Sequence, residues 1–541
     1  MNPIPILGLG IQSGYPSVTA QQRLNCYLEM QQDGEKSQVV AYGTPGKTEL
    51  ADLGETPVRG GKSVNDYLYV IHRDNFYQIN NAGTAVNKGS IQTTSGKVSI
   101  ESTGFQMVIA DGTTDGHIYE LRDDTEVLIS NASPCVVTWT AHNMPVNAAM
   151  RFTTTDSLPA GLTVDTTYYI SEVVDVNNFK ISLTQGGANV NTTSAGVGTQ
   201  TAVTWLAPIA DTDYPALETL AFLDGYIVGN EKNTGKYYWS GLYAAQSWAA
   251  LDFASAESNP DDLVAVFVDH GGIMLLGQFT TEIVGNSAGV DQPFSRIGYP
   301  VEWGLLAKWS VAKCGEQVAF LARNRMGEAQ VVLMSGYQPQ RISTHDLERI
   351  LNSSDSLESA TGFSWMINGH IFYQLNAAGE SWIYDLTSGV WSQLKSYGID
   401  RDKGDMGFNL INRILVTDYD NGKIYTVSDT AYADDSDELV MELTGQHIFN
   451  NAEFLSINEV DLEVEPGVGA TLGQGVDPQV MMQISKDGGH TWGNERWKSL
   501  GALGAYKTLV RWSRIGRSYN MNFRFRISDP VKRAIIGAWV R

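Results

Sequence analysis

The most specific spacing of chemistry-bearing residues in this 541-residue chain is Ser485-Lys486-Asp487-Gly488-Gly489-His490-Thr491-Trp492, which satisfies the Asp-box pattern SxDxGxTW at every defined position. A carboxylate flanked by hydroxyls could act as a proton donor or a cation ligand. The spacing favours a structural role. Asp487 can accept hydrogen bonds from the backbone of its own tight turn, the glycines permit positive φ, and Trp492 is expected to pack beneath the hairpin. Ser485, Asp487, Gly489, Thr491 and Trp492 are therefore assigned to a structural turn. Elsewhere the eight histidines are scattered with no HxH or HExxH pair, and no glycine-rich phosphate loop precedes a helix. Cys26, Cys135 and Cys314 are odd in number, far apart and outside any CxxC pair, so they are expected to be free, mostly buried thiols. Carboxylates are so numerous that no pair stands out. No catalytic residue, cofactor or metal is assigned.

Asp boxes also occur in sialidases, so a glycan-binding or carbohydrate-active β-propeller is the alternative reading. A site of that kind needs an arginine cluster for the substrate carboxylate, a Tyr/Glu nucleophile pair and an acid. The first 430 residues hold few arginines, and none lies in the Phe-Arg-Ile-Pro type of context.

Charge is unevenly placed. From Arg496 onward there are eleven basic residues and one acid, Asp529, a net +10. Because the whole chain carries −23 from 37 basic and 60 acidic residues, the first 495 residues hold 26 basic and 59 acidic groups, or −33. A body this acidic repels DNA phosphates. Arg511, Arg514, Arg517, Arg524, Arg526, Lys532 and Arg533 are the candidates for a protein-docking face. DNA contact through the run Arg511-Trp512-Ser513-Arg514-Ile515-Gly516-Arg517-Ser518-Tyr519, and a merely solvated face, stay open as alternatives.

The elements that position these residues are strands. Gly 54, Trp 13 and Tyr 24 describe a turn-rich, aromatic chain with little of the composition that long helices need. One unit recurs over the first 430 residues: an alternating strand, a Gly/Asn/Asp turn, and a second strand usually containing Tyr. Examples are Tyr67 to Ile71 with Phe76 to Ile79, Met107 to Ala110 with His117 to Leu121, and Ile371 to Leu375 with Ser381 to Leu386. Strand pairs repeating at roughly 40–50 residues mark a β-propeller, here of six or seven blades. A short helix is expected over 343–351, capped by Ser or Thr.

The expected organisation is an amino-terminal arm over 1–58 packing with the propeller or platform, a propeller over 59–133 and 206–430, and an inserted domain over 134–205. The insertion is rich in Thr, Val, Asn and Gly with turns every ten or so residues, and is read as a small sandwich-like β domain, either a recognition module or a passive decoration. Residues 431–541 are read as a separate β platform domain with a basic outer face, because Asn522 to Ile527 alternates apolar residues with Arg. No apolar run approaches the roughly 18 residues of a membrane span, and the amino end lacks a signal-peptide pattern, so the protein is expected to be soluble and unsecreted.

The chain as a whole resembles the packaged-DNA stabilisation or tail-hub nozzle proteins of short-tailed (podovirus) phages. The matching stretches are Gln22 to Glu29, Thr44-Pro45-Gly46, Val58-Arg59-Gly60-Gly61, Trp248 to Glu257 with Pro260-Asp261, Thr280-Thr281-Glu282 and Pro293 to Ile297. They continue through the helix near Ile350, the Asp box, Trp512 to Arg517, and Phe523 to Pro530. The resemblance covers most of the chain apart from 134–205. It implies a structural virion protein with a propeller and a platform-type β domain, six copies in a ring, a head-to-tail adaptor above, and tail fibre, spike or plug proteins as further partners. It also implies that double-stranded DNA is retained and then passes without sequence-specific binding, and that the subunit is assembled in the host cytoplasm into the virion tail. The family offers no catalytic residue to carry over.

Overall fold

Two-residue turns explain why the repeated strand pairs fold back on themselves. In the computed structural model Asp224-Gly225 has φ of 48° and 91°, and Asn368-Gly369 has 51° and 83°. Both central residues are left-handed, the geometry whose twist matches that of antiparallel strands. The structure describes the chain apart from residues 1, 9–13, 32–36, 257–260, 290 and 451–452. Met1 of the amino end, and Glu257 and Pro260 of the matched stretches, lie outside the described residues. The chain forms two compact units, Leu53–Leu305 and the combination of Met1–Asp52 with Leu306–Arg541.

The unit Leu53–Leu305 contains four four-stranded antiparallel sheets, three of them simple meanders. The first runs through Val58–Val64, Tyr67–His72, Asn75–Ile79 and Ala85–Ser90. The third uses Leu217–Leu223, Tyr226–Glu231, Lys236–Gly241 and Ala244–Ser255, and the fourth Leu263–Asp269, Gly272–Gly277, Thr281–Asn286 and Phe294–Arg296. Successive sheets pack face to face. Tyr69, Ile71 and Phe76 meet Ile100, Met107, Ile109 and Tyr119, while Val228, Tyr237 and Trp239 meet Ile273, Leu275 and Phe294. Each sheet thus buries its faces against its sequence neighbours, which is the packing logic of propeller blades.

The second blade is interrupted. Ser99–Ser102, Gln106–Ala110 and His117–Glu120 receive their fourth strand only from Ala207–Pro208. The residues between form a closed six-stranded barrel over its own core of Val137, Trp139, Met150, Phe152, Tyr168, Ile170, Phe179 and Ile181. This corrects the expected insertion in two respects. It is a barrel, not a sandwich, and it begins near Thr125 rather than at 134. The strand Thr125–Ile129 pairs with Gln200–Trp205 and Val137–Thr138, so the compositional change at Pro134 falls inside the domain.

The other unit holds three further blade sheets. One is built on Gln317–Arg323, Ala329–Ser335 and Gln338–Arg341, and one on Thr361–Ile367, His370–Ala377, Glu380–Asp385 and Val390–Leu394. The last combines Gly404–Leu410, Arg413–Asp418 and Lys423–Ser428 with Gly46–Asp52, a strand from the far end of the chain in the register Lys423↔Asp52 to Ser428↔Gly46. The short helix forms over His345–Leu351, with the Thr344 hydroxyl accepting from the Leu347 amide.

Beyond the blades, two sheets sandwich a core that includes Met441, Leu443, Val460, Leu462, Met482, Trp512, Phe523, Phe525 and Ile535. One sheet runs Cys26–Met30, Val39–Gly43, Ala534–Val540, Leu455–Val464 and Val510–Ser518. The other runs Gln22–Leu24, Met441–Thr444, Asn520–Ile527, Gln479–Ser485 and Arg496–Ser499, and Leu24 also pairs in parallel with Gln393 of a blade. Blade and sandwich in this unit therefore share hydrogen-bonded strands. The domain starts later than 431: Ala433–Asp434 and Asp437–Glu438 still belong to the sheet of the last blade. The amino-terminal segment is woven into both layers and ends its last strand at Asp52, and Val58 already opens the first blade. Cys26, Cys135 and Cys314 are buried free thiols.

Candidate docking surface of the carboxy-terminal domain

The Asp box begins where the strand Gln479–Ser485 ends. Ser485 Oγ donates to Asp487 Oδ1 at 2.7 Å and accepts from the Gly489 amide at 2.8 Å. The Thr491 amide donates to Asp487 Oδ1 at 2.9 Å and the Thr491 hydroxyl to Oδ2 at 2.5 Å. Gly489 needs its φ of 89°, and a Cβ there would stand 2.6 Å from Ala20. Trp492 is half-buried, with the Arg524 guanidinium 3.9 Å from its ring centroid, a cation–π contact.

These donors, the Thr491 hydroxyl foremost, hold the Asp487 carboxyl down to about 2. Its folded value is below the unfolded one of roughly 3.9, so its stabilisation is present above about pH 4 and disappears as pH falls through about 2. Asp487→Asn should therefore flatten the acid limb of the stability curve in that window, as measured by urea unfolding at a series of pH values. A parallel curve would show that the turn does not depend on the charge.

The seven basic candidates divide by burial. Arg533 is 3% exposed, donates to the carbonyls of Leu439 and Thr44, and burial pulls its guanidinium down to about 10. It is an internal strut and leaves the docking set. Arg511 makes a two-bond fork on Asp461, at 2.5 and 2.8 Å. Arg526 and Arg524 share Glu442, at 2.7 and 3.1 Å, and Arg526 also reaches Glu495 at 3.3 Å. These three are committed to carboxylates of the same domain, so part of the positive charge read from the sequence is neutralised within the fold. The reason is register: Asp461 and Arg511 are directly opposed across strands, as are Glu442 and Arg526.

Arg514, Arg517 and Lys532 point outward. The Arg517 guanidinium lies 5.0 Å from the ring centroid of Phe454, which stacks on Tyr519 at 3.9 Å, and both rings are about half exposed. Other exposed groups went unread in the sequence. Leu472 is 85% and Tyr506 71% exposed in the loops at the opposite end of the sandwich strands. Trp497, 54% exposed, and Tyr397 line a groove of about 610 Å³ with Lys395, Asp400, Glu495 and Arg526. Exposed aromatics beside arginine have the composition of protein-interface hot spots. Among the described residues, no group of His, Cys, Asp and Glu is arranged to hold a metal ion, and no helix is long and apolar enough to cross a membrane.

Comparison with known families matches residues 164–432 to the β-propeller of bacteriophage P22 Gp10 and residues 440–541 to the β-sandwich of the same protein. No curated protein matches the chain. Among solved structures, the chain is similar to the WD40 domain of Neurospora crassa Pan2, at 8% identity over 71% of this chain and 95% of that one, with a TM-score of 0.33. It is similar to the WD40 β-propeller domain of Doa1 at 11% identity over 71% and 97%, again with a TM-score of 0.33. The computationally designed Ika8 protein matches at 9% identity over 70% and 99%, with a TM-score of 0.33.

Proposed function

The chain belongs to the bacteriophage P22 Gp10 family and is a structural protein of the phage tail, and from that premise we propose that it is one wall segment of the tail nozzle. Six copies form a ring below the portal and adaptor, retain packaged DNA, and line the path of its ejection from the virion tail. The observation that carries this reading is the match of both the propeller and the sandwich to one family. Charge supports it. A segment of −33 over the first 495 residues repels a polyanion, so double-stranded DNA moves past it without adsorbing. Assembly contacts fall to the carboxy-terminal domain, where Arg514, Arg517 and Lys532 are unburied and Arg517 lies over Phe454, which stacks on Tyr519. The partners there are neighbouring subunits, the head-to-tail adaptor, or fibre, spike and plug proteins.

Electron microscopy of the purified full-length chain mixed with its adaptor tests the proposal, and rings of six are expected. Particles that stay monomeric with the adaptor present would sink it. Arg514→Glu with Arg517→Glu should abolish ring formation while leaving the thermal midpoint unchanged, since neither side chain is buried. Rings that form normally would remove both residues from the interface. In a gel-shift assay at physiological salt, the wild-type chain should leave duplex DNA unretarded.

A further inference from the structure

The carboxy-terminal sandwich presents two different exposed patches, one at each end of its strands. Two glycine-rich loops build the first. Pro466 to Val476 holds no charged residue and Leu500 to Leu509 only Lys507, in a chain with 18% charged residues. The loops are fastened to each other: the Gly504 amide donates to Gly467 O at 3.2 Å, and the Gly467 amide donates to Leu500 O at 3.2 Å. A Cβ on Gly467 would stand 2.9 Å from the Tyr506 ring, and one on Gly469 would stand 2.6 Å from Val476 O and 2.8 Å from the Leu503 amide nitrogen. Glycine lets the loops close on each other while their apolar side chains face water. Leu509 is 63% and Leu503 60% exposed, and Val476 is exposed too, beside the still more open Leu472 and Tyr506. Together they show on the order of 500 Å² of apolar surface, within the range of the largest patch on a typical monomer, and patches of that size mark interaction sites.

The second patch is the stacked pair Phe454 and Tyr519, with the Arg517 guanidinium over the Phe454 ring. Leu455 pairs with Ser518 and Leu462 with Val510, so the strand Leu455–Val464 runs from one patch to the other. Its 10 residues span roughly 30 Å. Neither patch can therefore cover the other within one chain.

A closed ring is made by a heterologous contact, in which two different surfaces of the subunit meet on adjacent copies. We propose that these are the two surfaces: the loops bearing Leu472, Leu503, Tyr506 and Leu509 on one copy seat against Phe454, Tyr519 and Arg517 of the next. This pairing rests on the ring of copies proposed above and supplies the half of the contact that the arginines leave unassigned. The loop patch provides more than half of the roughly 800 Å² that one partner gives to a standard interface. Aliphatic side chains against paired rings bury carbon on both sides, and Tyr506 offers Arg517 a second ring face. Exposed Glu465 and Asp477 at the foot of the loops offset Lys507 and Lys532, so the arginines of the next copy meet no net positive field. Every chain carries both patches, so each is covered once per subunit when the ring closes.

Photocross-linking of the full-length chain with its adaptor tests the contact. Leu503→Cys is labelled with benzophenone maleimide, since Cys26, Cys135 and Cys314 are buried and do not compete. Irradiation should give a covalent dimer on a denaturing gel, and its peptides should place the adduct at Phe454 to Tyr519 of a second copy. Leu472→Asp with Leu503→Asp should remove rings in electron microscopy and leave the thermal midpoint unchanged, because both side chains are more than half exposed. An adduct on the loops of the second copy means a two-fold contact, and an adduct on the adaptor alone means that the adaptor covers the loops. Either result, or rings that persist in the double Asp variant, overturns the pairing and leaves the ring itself standing. A wild-type chain that forms no ring with its adaptor sinks both.

Discussion

Replacing Lys47 by Met should cost the folded chain roughly 3–5 kcal/mol, the usual penalty for removing one partner of a buried ion pair. Lys47 lies on Gly46–Asp52, the strand that completes the last blade, and its ammonium is buried 2.5 Å from Asp402 Oδ2 and 3.1 Å from Asp434 Oδ1. Burial alone would lower the lysine, but the two carboxylates outweigh it and hold it above its ordinary value. The acids are themselves built in. Asp402 accepts from Gln374 Nε2 and the Gly404 amide, and Asp434 accepts from Ser396 Oγ. Met fills the volume of Lys and leaves two carboxylates facing each other without a cation.

The pH dependence follows from the same network. Burial opposes the charge of Asp402, yet Lys47 keeps its carboxyl below the ordinary value in the wild type. That contribution to stability is present above the unfolded value of about 3.9 and is lost as pH falls through the folded one. In the variant the cation is gone, Asp402 is raised, and protonation relieves the strain. The deficit measured by urea unfolding should therefore be largest near pH 7 and shrink toward pH 5. Asp402→Asn added to Lys47→Met should restore part of the loss. A deficit that is flat with pH, or one below 1 kcal/mol, would mean that this network does not fasten the closing strand.

What the sequence displays and what it conceals follow the range of the interactions. Asp224-Gly225 and Asn368-Gly369 are local signals, each sufficient to fold one strand back on the next, and the blades built on them are legible residue by residue. The capping hydroxyl of Thr344 is local too. By contrast, nothing near Gly46 shows that its strand pairs with Lys423–Ser428, because antiparallel closure over such a separation has no signature within either segment. The same holds for Thr125–Ile129, which alternates like a blade strand but finds its partner in Gln200–Trp205. Charge counted along the chain makes residues 496–541 strongly basic. Counted across strands, Asp461 and Glu442 have already claimed Arg511 and Arg526.

That cross-strand accounting sets the second large effect. Glu442→Ala should destabilise the full-length chain by roughly 3 kcal/mol, near the lower end of the range for a broken buried pair, because both of its partners are only partly buried. Glu442 is 4% exposed on Met441–Thr444, and its two oxygens receive Arg524 at 3.1 Å and Arg526 at 2.7 Å. Removing it leaves two like charges on one strand, Asn520–Ile527, two residues apart and therefore on the same face. Arg524 suffers more, since burial already lowers its guanidinium and the carboxylate is the group that offsets this. Arg526→Ala should cost less, under about 1 kcal/mol, because that side chain is part-exposed and Glu442 keeps Arg524. The comparison bears on assembly as well as stability. Variants at Arg511, Arg524, Arg526 and Arg533 act first on the sandwich, so a loss of particles in them reports unfolding. Only Arg514, Arg517 and Lys532 can be changed to Glu and still test docking. If Glu442→Ala leaves the urea midpoint where it was, the inward pairing is not a determinant of stability, and Arg524 and Arg526 return to the set of docking residues.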